Sequence, residues 1–206
     1  MRFCLSTEIL LELYPRIFQI VLKSRVSYNN SMSSYPEPSQ LLVEYLPLLP
    51  RGKALDVAMG KGRNALFLAS HGFEVIGLER DEDAIHACLT EAKRLGVHVD
   101  ARQADLKDLD SCRIEKSAYD VVICFYYLQR SLIPHMKEAL KPRGMIVYET
   151  FLIDQHLRTG HPQHREYCLE HNELLRLFSC LRVLFYHEGQ DAKGTYKASL
   201  VAQRAL

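Results

Sequence analysis

The sequence predicts an α/β fold, a doubly wound sheet of seven strands that are mostly parallel, with a C-terminal antiparallel hairpin. Strand-like apolar segments alternate with helical patterns between residues 54 and 150, as in parallel strands joined by crossover helices. Residues 119–125 are nearly continuous in apolar side chains, which is typical of a parallel strand buried on both faces. Turn-forming residues at 188–194 separate the last two strand patterns and indicate a hairpin.

The elements follow in a regular order along the chain. Strands are predicted from residue 54 to the turn at Gly60 and over residues 72–79, 97–105, 119–125, 144–150, 182–187 and 196–203. Helices are predicted over residues 39–46, 64–70, 83–95, 131–140 and 172–177. Asp81 or Asp83 is a candidate N-cap of the helix at 83–95, and Gly96 is a candidate stop. Residues 152–170 form a long polar connection in this interpretation.

Length and composition fit one domain. With 206 residues and 48% hydrophobic content, the chain is long enough to bury a full core. The predicted boundary separates an N-terminal extension and linker, residues 1–37, from a domain at residues 38–206. The net charge is +1 with acids and bases interspersed, so no basic stripe favours a nucleic-acid partner. Six scattered cysteines without Cys-x-x-Cys spacing indicate reduced thiols in a cytoplasmic protein.

The N-terminal extension contains an apolar run at residues 9–22. Glu12, Pro15 and Arg16 interrupt it well short of the ~20 residues that span a bilayer, so no membrane span is predicted. We expect an amphipathic helix that packs on the domain or on a second subunit, as in a homodimer. The alternative is a lid over the ligand site.

A Gly-x-Gly turn follows the first predicted strand and opens the next helix. Gly60 and Gly62 let the backbone approach a ligand closely, and the helix after them offers unpaired N–H groups. Glu79 ends the second strand, 79 − 60 = 19 residues after Gly60, where a carboxylate is placed to take both hydroxyls of a ribose. These features predict a nucleotide-like cofactor.

Two further acids narrow the choice of cofactor. Asp56 lies four residues before Gly60, where its charge opposes a phosphate group but favours a cationic or zwitterionic ligand. Asp105 follows the third strand and is suited to accept a hydrogen bond from an adenine amino group. The alternatives are that Asp56 caps the helix after Gly62 and that Glu79 is a surface charge.

These motifs resemble those of class I S-adenosylmethionine-dependent methyltransferases, which have a Rossmann-like fold, and more narrowly those of the TehB-like, tellurite-resistance-related branch. The residues that carry the resemblance are 54–64, Glu79, 104–105, 119–122, 140–144 and 148–151. It implies S-adenosylmethionine as the cofactor, with Asp56 and the turn at residues 60–62 facing its methionine part. It also implies that Glu79 faces the ribose and Asp105 the adenine.

The candidate cofactor residues lie at the strand ends and in the glycine turn. They are Asp56, Ala58, Gly60, Gly62, Arg63, Asn64, Glu79, Arg80, Asp105, Leu106, Cys124 and Phe125. The chain departs from the family pattern at three positions. The family more often has Cys or Gly in place of Met59, Asp in place of Glu79 and Gly in place of Arg143.

Chemistry is expected at the residues that follow each strand, which are 58–64, 79–80, 105–106, 124–130 and 150–165. In-line methyl transfer mainly requires alignment, because the electrophile comes with the cofactor. Tyr126, Arg130 and Arg165 are the candidate catalytic residues: Tyr126 would line the methyl channel, and the arginines, with His161, would bind a small anion. Alternatively, Tyr126 caps the core and Arg130 pairs with a structural acid such as Glu149.

The implied acceptor is a small molecule, either a metalloid oxyanion such as tellurite or selenite or a small organic nucleophile. Two other function classes stay open: an NAD(P)-dependent oxidoreductase that uses the same glycine turn, and a non-catalytic nucleotide-binding protein of the same fold. Asp56 and Asp105 favour the methyltransferase. The histidines at 156, 161 and 164 lack the spacing of helical metal ligands, so no metal site is predicted.

Overall fold

The computed structural model describes residues 35–108 and 112–206. The strands in these residues are β1 (Lys53–Val57), β2 (Glu74–Glu79), β3 (Val99–Gln103), β4 (Tyr119–Phe125), β5 (Leu140–Phe151), β6 (Arg182–Gln190) and β7 (Tyr196–Gln203). The α-helices are α1 (Gln40–Tyr45), α2 (Arg63–Ser70), α3 (Glu82–Leu95), α4 (Ile133–Ala139), α5 (Ile153–Thr159) and α6 (Glu173–Leu177). The helix expected at residues 9–22 and its role as a lid lie outside the described residues.

The strands form one sheet in the order β3-β2-β1-β4-β5-β7-β6. Neighbours among β1 to β5 are parallel, whereas β7 is antiparallel to both β5 and β6. The predicted fold, a mostly parallel sheet that ends in an antiparallel hairpin, is confirmed. Because the strand order reverses between β1 and β4, the carboxyl ends of these two strands border a crevice of the kind in which such sheets bind ligands.

Helices cover both faces of the sheet, because successive strand side chains point to opposite sides. Leu55 and Val57 pack into an apolar cluster with residues of α4 and α6, whereas Ala54 packs into a cluster with residues of α1, α2 and α3. Asp56 shares the side of Ala54 and therefore faces α2. Within the described part of the chain, no helix is long and apolar enough to cross a lipid bilayer.

α3 begins and ends as its sequence predicts. Asp81 is the N-cap, and its carboxylate accepts the Asp83 N–H at 2.9 Å. Gly96 ends the helix in the left-handed conformation with φ 68°. These caps fix the helix that brings Cys88 against the glycine turn.

The polar connection at residues 152–170 contains regular structure that the sequence analysis missed. α5 lies in it and ends at Gly160, whose φ of 70° gives a left-handed cap. A 3₁₀ turn follows at Arg165–Tyr167, and a β-bridge joins Leu152 to Leu169. Both leucines are buried, so a few apolar side chains hold this mostly polar segment against the core.

Candidate active site

The glycine turn between β1 and α2 lies at the centre of the site. Gly60 and Gly62 have φ values of 56° and 83°, which glycine adopts without steric cost. A Cβ at Gly62 would lie 2.3 Å from the Cys88 Sγ, so a larger residue does not fit there. Ala58, directly after β1, also has a positive φ of 57°. That conformation costs about 1–2 kcal/mol for a residue with a side chain, so the surrounding structure enforces the turn.

Asp56 caps the helix that follows the turn. Its carboxylate accepts the Ala65 N–H, because the N-cap residue Gly62 has no side chain that could do so. Asp56 is buried, and its second oxygen, Oδ2, has no hydrogen-bond partner. Burial raises the pKa of Asp56 to about 8, although the Ala65 N–H and the charge of Arg63 oppose this rise. A cationic group or an N–H donor of a ligand would satisfy this oxygen.

Glu79 organises the glycine turn from the neighbouring strand. One carboxylate oxygen accepts the Gly60 N–H at 2.8 Å, and the other accepts the N–H groups of Arg80 at 2.8 Å and Asp81 at 3.0 Å. Since a carboxylate oxygen has two lone pairs, the oxygen bound to Gly60 keeps one for a ribose hydroxyl. The ribose contact of Glu79 stays a prediction, and its hydrogen bonds to the turn give it a structural role that the sequence did not indicate.

A cavity of about 460 Å³ opens at the carboxyl ends of the parallel strands. It extends from residues that follow β2 and β3 to residues that follow β4 and β5, across the crevice between β1 and β4. Its size is that of a small-molecule site. The residues that line it are Ala58, Glu79, Arg80, Ala104, Asp105, Leu106, Lys107, Tyr126, Tyr127, Leu128, Phe151, His161, Pro162 and Tyr167.

Predicted site residues fall into two groups. Those that line the cavity are Ala58, Glu79, Arg80, Asp105, Leu106 and Tyr126. Those that lie outside its lining are Asp56, Gly60, Gly62, Arg63, Asn64, Cys124, Phe125, Arg130 and Arg165. The strand-end rule therefore locates the site, but it does not distinguish contact residues from their supports.

Three of the predicted cofactor residues have structural contacts that explain their place. Asn64 is buried and accepts the Ser39 N–H at 2.8 Å, so it anchors the chain that precedes α1. Cys124 is buried at the end of β4, and its thiol donates to the Tyr127 carbonyl at 3.6 Å. Phe125 is buried as well. These side chains support the residues that reach the cavity.

Arg130 was predicted to bind an acceptor anion, but its guanidinium is occupied by protein acceptors. It makes a bidentate pair with Glu173, at 2.6 and 2.9 Å, and donates to the carbonyls of Glu166 at 2.8 Å and Cys168 at 3.0 Å. The alternative, a structural ion pair, describes these contacts, although the acid is Glu173 and not Glu149. We therefore correct the role of Arg130 to that of a clamp on the segment between α5 and α6.

Arg165 also departs from its predicted role. It pairs with Glu170 at 2.8 Å, with 66% of its side chain exposed, and it does not line the cavity. Its place in the 3₁₀ turn directs it to the surface. The two arginines thus do not form the anion pocket that the sequence suggested.

Aromatic side chains form the end of the cavity near β4 and β5. The Tyr126 and Phe151 ring centroids are 5.0 Å apart, and His161 meets Phe151 edge-on at 5.8 Å. Pro162 and Tyr167 also line this end, and the sequence analysis named neither of them. Phe151 and Pro162 fall within the selected range 150–165, whereas Tyr167 reaches the cavity only through the 3₁₀ turn that the sequence did not predict.

Tyr126 is held in an unusual backbone conformation at the cavity. Its φ is 57°, and its N–H donates to the Glu149 carbonyl at 2.8 Å. The Arg63 guanidinium lies 5.6 Å from the centre of its ring, so this candidate cofactor residue also packs against the aromatic wall. A bulky residue in this conformation is rare and marks Tyr126 as a candidate functional side chain.

Sequence comparisons match the part of the chain that carries the glycine turn and the residues after β2, β3 and β4. A family model described as "Methyltransferase domain" matches residues 54–144. The ubiquinone biosynthesis O-methyltransferase of Rickettsia conorii is 32% identical over 101 residues, which is 47% of this chain and 34% of that protein. The protein-L-isoaspartate O-methyltransferase of Methylorubrum extorquens is 35% identical over 123 residues, 55% of this chain and 48% of that protein.

Residues 54–144 thus match a methyltransferase domain, and this match supports S-adenosylmethionine as the cofactor. The chain spans less than half the length of these curated relatives. The crystal structure of TehB from Haemophilus influenzae matches with a TM-score of 0.68 at 19% identity, over 86% of this chain and 64% of TehB. That likeness shows the class I methyltransferase fold. The matched residues 54–144 include Tyr126 but end before Phe151, so the family match covers the cofactor end of the cavity and only part of the aromatic end.

The cofactor end of this methyltransferase domain fits S-adenosylmethionine. The cofactor is a cation at its sulfonium and amino groups, and the unpartnered Asp56 oxygen is a buried acceptor beside the glycine turn. Glu79 keeps a lone pair for a ribose hydroxyl, and Asp105 lines the cavity after β3, where the adenine is expected. Among the described residues, no group of His, Cys, Asp and Glu is arranged to hold a metal ion.

Proposed function

We propose that this protein transfers a methyl group from S-adenosylmethionine to a small-molecule acceptor bound at the aromatic end of the cavity. The observation that carries the proposal is the unpartnered, buried oxygen of Asp56, two residues before Ala58 in the wall of a cavity that continues from Glu79 to Tyr126. A buried acceptor without a partner costs about 1–3 kcal/mol, and a cationic ligand removes that cost.

The cofactor supplies an electrophilic methyl group, so the protein's task is to align and enclose the reactants. Glu79 and the backbone at Gly60 fix the nucleoside. Asp56 holds the amino acid part of the cofactor. Tyr126 and Phe151 line the opposite end, where an acceptor would approach along the cavity. These apolar rings also exclude water from the reacting atoms.

The acceptor end favours a small organic nucleophile over a metalloid oxyanion. The cations that line the cavity, Arg80 and Lys107, follow β2 and β3 and so lie at the cofactor end. The arginines suggested for an oxyanion, Arg130 and Arg165, are paired with acids elsewhere. A tellurite-like or selenite-like acceptor, implied by the TehB-like resemblance, would meet aromatic rings. The Arg63 guanidinium lies against the Tyr126 ring and outside the lining of the cavity. We therefore infer that such an oxyanion is the less suitable acceptor.

Isothermal titration of the full chain tests the cofactor. We expect S-adenosylmethionine and its demethylated product to bind, and NAD not to bind. Asp56→Asn should weaken cofactor affinity by roughly tenfold or more, about 1.4 kcal/mol. Asp100→Asn is the matched control, since the Asp100 side chain is 44% exposed on β3, pairs with Arg102 and does not line the cavity. Tight NAD binding would support the oxidoreductase alternative instead.

Transfer of a radiolabelled methyl group tests turnover. The acceptors are catechol, thiophenol, selenite and tellurite, each offered with labelled S-adenosylmethionine. We expect methylation of an organic acceptor and little or none of the two oxyanions. Cofactor binding without transfer to any acceptor in a broader panel of small nucleophiles would support the non-catalytic alternative.

We also infer the setting in which the protein works. The five cysteines among the described residues are free thiols, in keeping with a reducing cytoplasm. The near-neutral charge supports a small-molecule partner over nucleic acid. A homodimer through the N-terminal extension is the expected assembly if any forms. Sedimentation of the full chain and of a chain that lacks residues 1–37 tests both the dimer and the predicted domain boundary.

A further inference from the structure

A buried charged cluster lies beside Tyr126 at the end of β5. Glu149 is 3% exposed, and one of its carboxylate oxygens accepts the Ser199 hydroxyl at 2.7 Å. The other oxygen lies 3.1 Å from the Lys197 Nζ, which also pairs with Asp191 at 3.2 Å. Burial of ionised groups is expensive even when they are paired. Apolar residues at these positions would avoid the free-energy cost of burying charges. Stability alone therefore does not explain why the cluster is charged.

Tyr126 connects this cluster to the cavity. Its backbone N–H donates to the Glu149 carbonyl at 2.8 Å, and its hydroxyl interacts with the Glu149 carboxylate. Burial, followed by the charge of Glu149, raises the pKa of Tyr126, while Lys197 and Arg63 act in the opposite direction. The phenol therefore stays protonated at neutral pH, and the Glu149 carboxylate is an acceptor for its hydrogen.

The carboxylate beside the phenol limits what the cavity accepts. A phenol has one hydrogen, and the Glu149 carboxylate attracts it more strongly than a neutral ligand does. The oxygen of Tyr126 then has only lone pairs for a molecule in the cavity, so a partner in contact with it must be a hydrogen-bond donor. A bare oxyanion would face these lone pairs. It would also face the cluster, which has two carboxylates against one ammonium.

The neighbours of Tyr126 favour a flat acceptor. The Phe151 ring lies next to Tyr126, with centroids 5.0 Å apart, and His161 lies next to Phe151 at 5.8 Å. Tyr167 lines the same end of the cavity. Aromatic side chains pack against ring-shaped ligands by offset or edge-on contacts. This surface thus offers stacking in addition to one polar anchor.

We propose that Tyr126 determines specificity by accepting a hydrogen bond from a neutral O–H, N–H or S–H group on a small aromatic acceptor. Glu149 and Lys197 are positioning residues, because they hold the Tyr126 hydroxyl in the orientation that makes its oxygen an acceptor. This inference rests on the proposed methyltransferase function and deepens it by naming the acceptor class. It assigns the buried cluster a role that the cofactor end of the site does not explain.

A pair of probes that differ only in the anchoring group tests the proposal. The full chain is titrated with phenol and with toluene, with and without S-adenosylhomocysteine, and followed by NMR of tyrosine labelled at Cζ. Toluene is the more apolar of the two, so it binds more tightly wherever the hydroxyl gains no hydrogen bond. We expect the wild type to prefer phenol.

Tyr126→Phe should reverse this preference by about tenfold, because it removes only the oxygen. Tyr186→Phe is the matched control: Tyr186 also donates to a carboxylate, that of Glu188 on β6, but it does not line the cavity. We expect the control to keep the wild-type preference. Glu149→Gln should weaken the preference for phenol. If that variant fails to fold, the comparison of Tyr126→Phe with the wild type still decides.

The outcomes separate this inference from the proposed function. An equal phenol-to-toluene ratio in the wild type and in Tyr126→Phe overturns the inference, as does a wild type that binds neither probe. In both cases calorimetric binding of S-adenosylmethionine would leave the proposed function intact. Loss of cofactor binding in the wild type overturns the proposed function, whereas the probe titrations without cofactor still report on Tyr126.

Discussion

The Glu79 carboxylate accepts the Gly60 N–H at 2.8 Å and so joins the end of β2 to the glycine turn after β1. Its other oxygen accepts the N–H groups of Arg80 and Asp81. One acid therefore sets the conformation of two loops and also lines the cavity. Because these loops are ordered by the protein's own bonds, a nucleoside would find its ribose partner already in place, which reduces the entropy lost on binding.

Glu79→Gln should weaken S-adenosylmethionine binding by about 10- to 100-fold, or 1.4–2.7 kcal/mol. The amide nitrogen of glutamine must face one of the backbone N–H donors that the carboxylate now accepts, so the turn loses a bond and gains an unfavourable contact. Calorimetry measures the affinity, and thermal unfolding reports the effect on the turn.

Glu74→Gln provides the control for that experiment. Glu74 is exposed at the other end of β2, far from the glycine turn along the strand. We expect its variant to bind the cofactor with wild-type affinity. Wild-type affinity in Glu79→Gln as well would contradict the role assigned to the Glu79 carboxylate.

Asp56 should make the cofactor-free protein less stable as the pH rises. Burial raises its folded-state pKa from an ordinary value of 3.8 to about 8, so the native state holds this proton more tightly than the unfolded chain. The contribution of Asp56 is fully present below pH 3.8 and is lost as the pH rises through about 8. Within that window the slope is at most about 1.4 kcal/mol per pH unit.

Denaturant unfolding of the wild type and of Asp56→Asn at pH 5, 6, 7 and 8 measures this effect. The free-energy difference between the two should shift in favour of the variant as the pH rises, because asparagine does not ionise. Other titrating groups are common to both proteins and cancel in the difference. A difference that is constant with pH would show that Asp56 is already ionised in the folded protein.

The cofactor half of the site was predictable because its signals are local. Gly62 adopts a positive φ, which glycine tolerates, and Asp81 is the N-cap of α3 directly after it in sequence. Each of these features depends on only a few neighbouring residues. The parallel sheet follows from apolar strands at regular spacing. Acids at the ends of successive strands then meet at one edge of the sheet, so Glu79 and Asp105 could be placed together without a structure.

The acceptor half depends on contacts that no local pattern encodes. Arg130 pairs with Glu173, 43 residues further along the chain, and no local pattern distinguishes this acid from Glu149. Tyr167 reaches the cavity because buried leucines fold the polar connection back on the sheet. The cluster around Lys197 forms only when β7 pairs with β5. Each depends on pairing over long sequence distance.

Arg143→Gly should stabilise the protein by about 1 kcal/mol. Arg143 has a φ of 64°, a conformation that costs a residue with a Cβ but not glycine, and its position is one where the related family more often has Gly. The Arg143 side chain is exposed, so its removal opens no cavity. Chemical denaturation measures the change.

Arg143→Ala is the control for this prediction, because it removes the same side chain but keeps the Cβ. We expect it to leave stability unchanged. Equal gains in both variants would mean that the arginine side chain, and not the backbone conformation, limits stability at this turn.

Arg130→Ala should reduce the free energy of unfolding by about 1–3 kcal/mol and leave cofactor affinity unchanged. The substitution leaves Glu173 without its bidentate partner and removes the donors to the carbonyls of Glu166 and Cys168. Arg165→Ala should change stability by less than about 0.5 kcal/mol, since its pair with Glu170 is exposed. Denaturant unfolding measures the stability of both variants.

Acceptor kinetics distinguish a structural clamp from an anion-binding residue. If Arg130 is a structural clamp, Arg130→Ala loses stability, but its folded fraction keeps the wild-type Michaelis constant for the acceptor. A raised Michaelis constant in a fully stable Arg130→Ala would instead restore the anion-binding role that the sequence suggested.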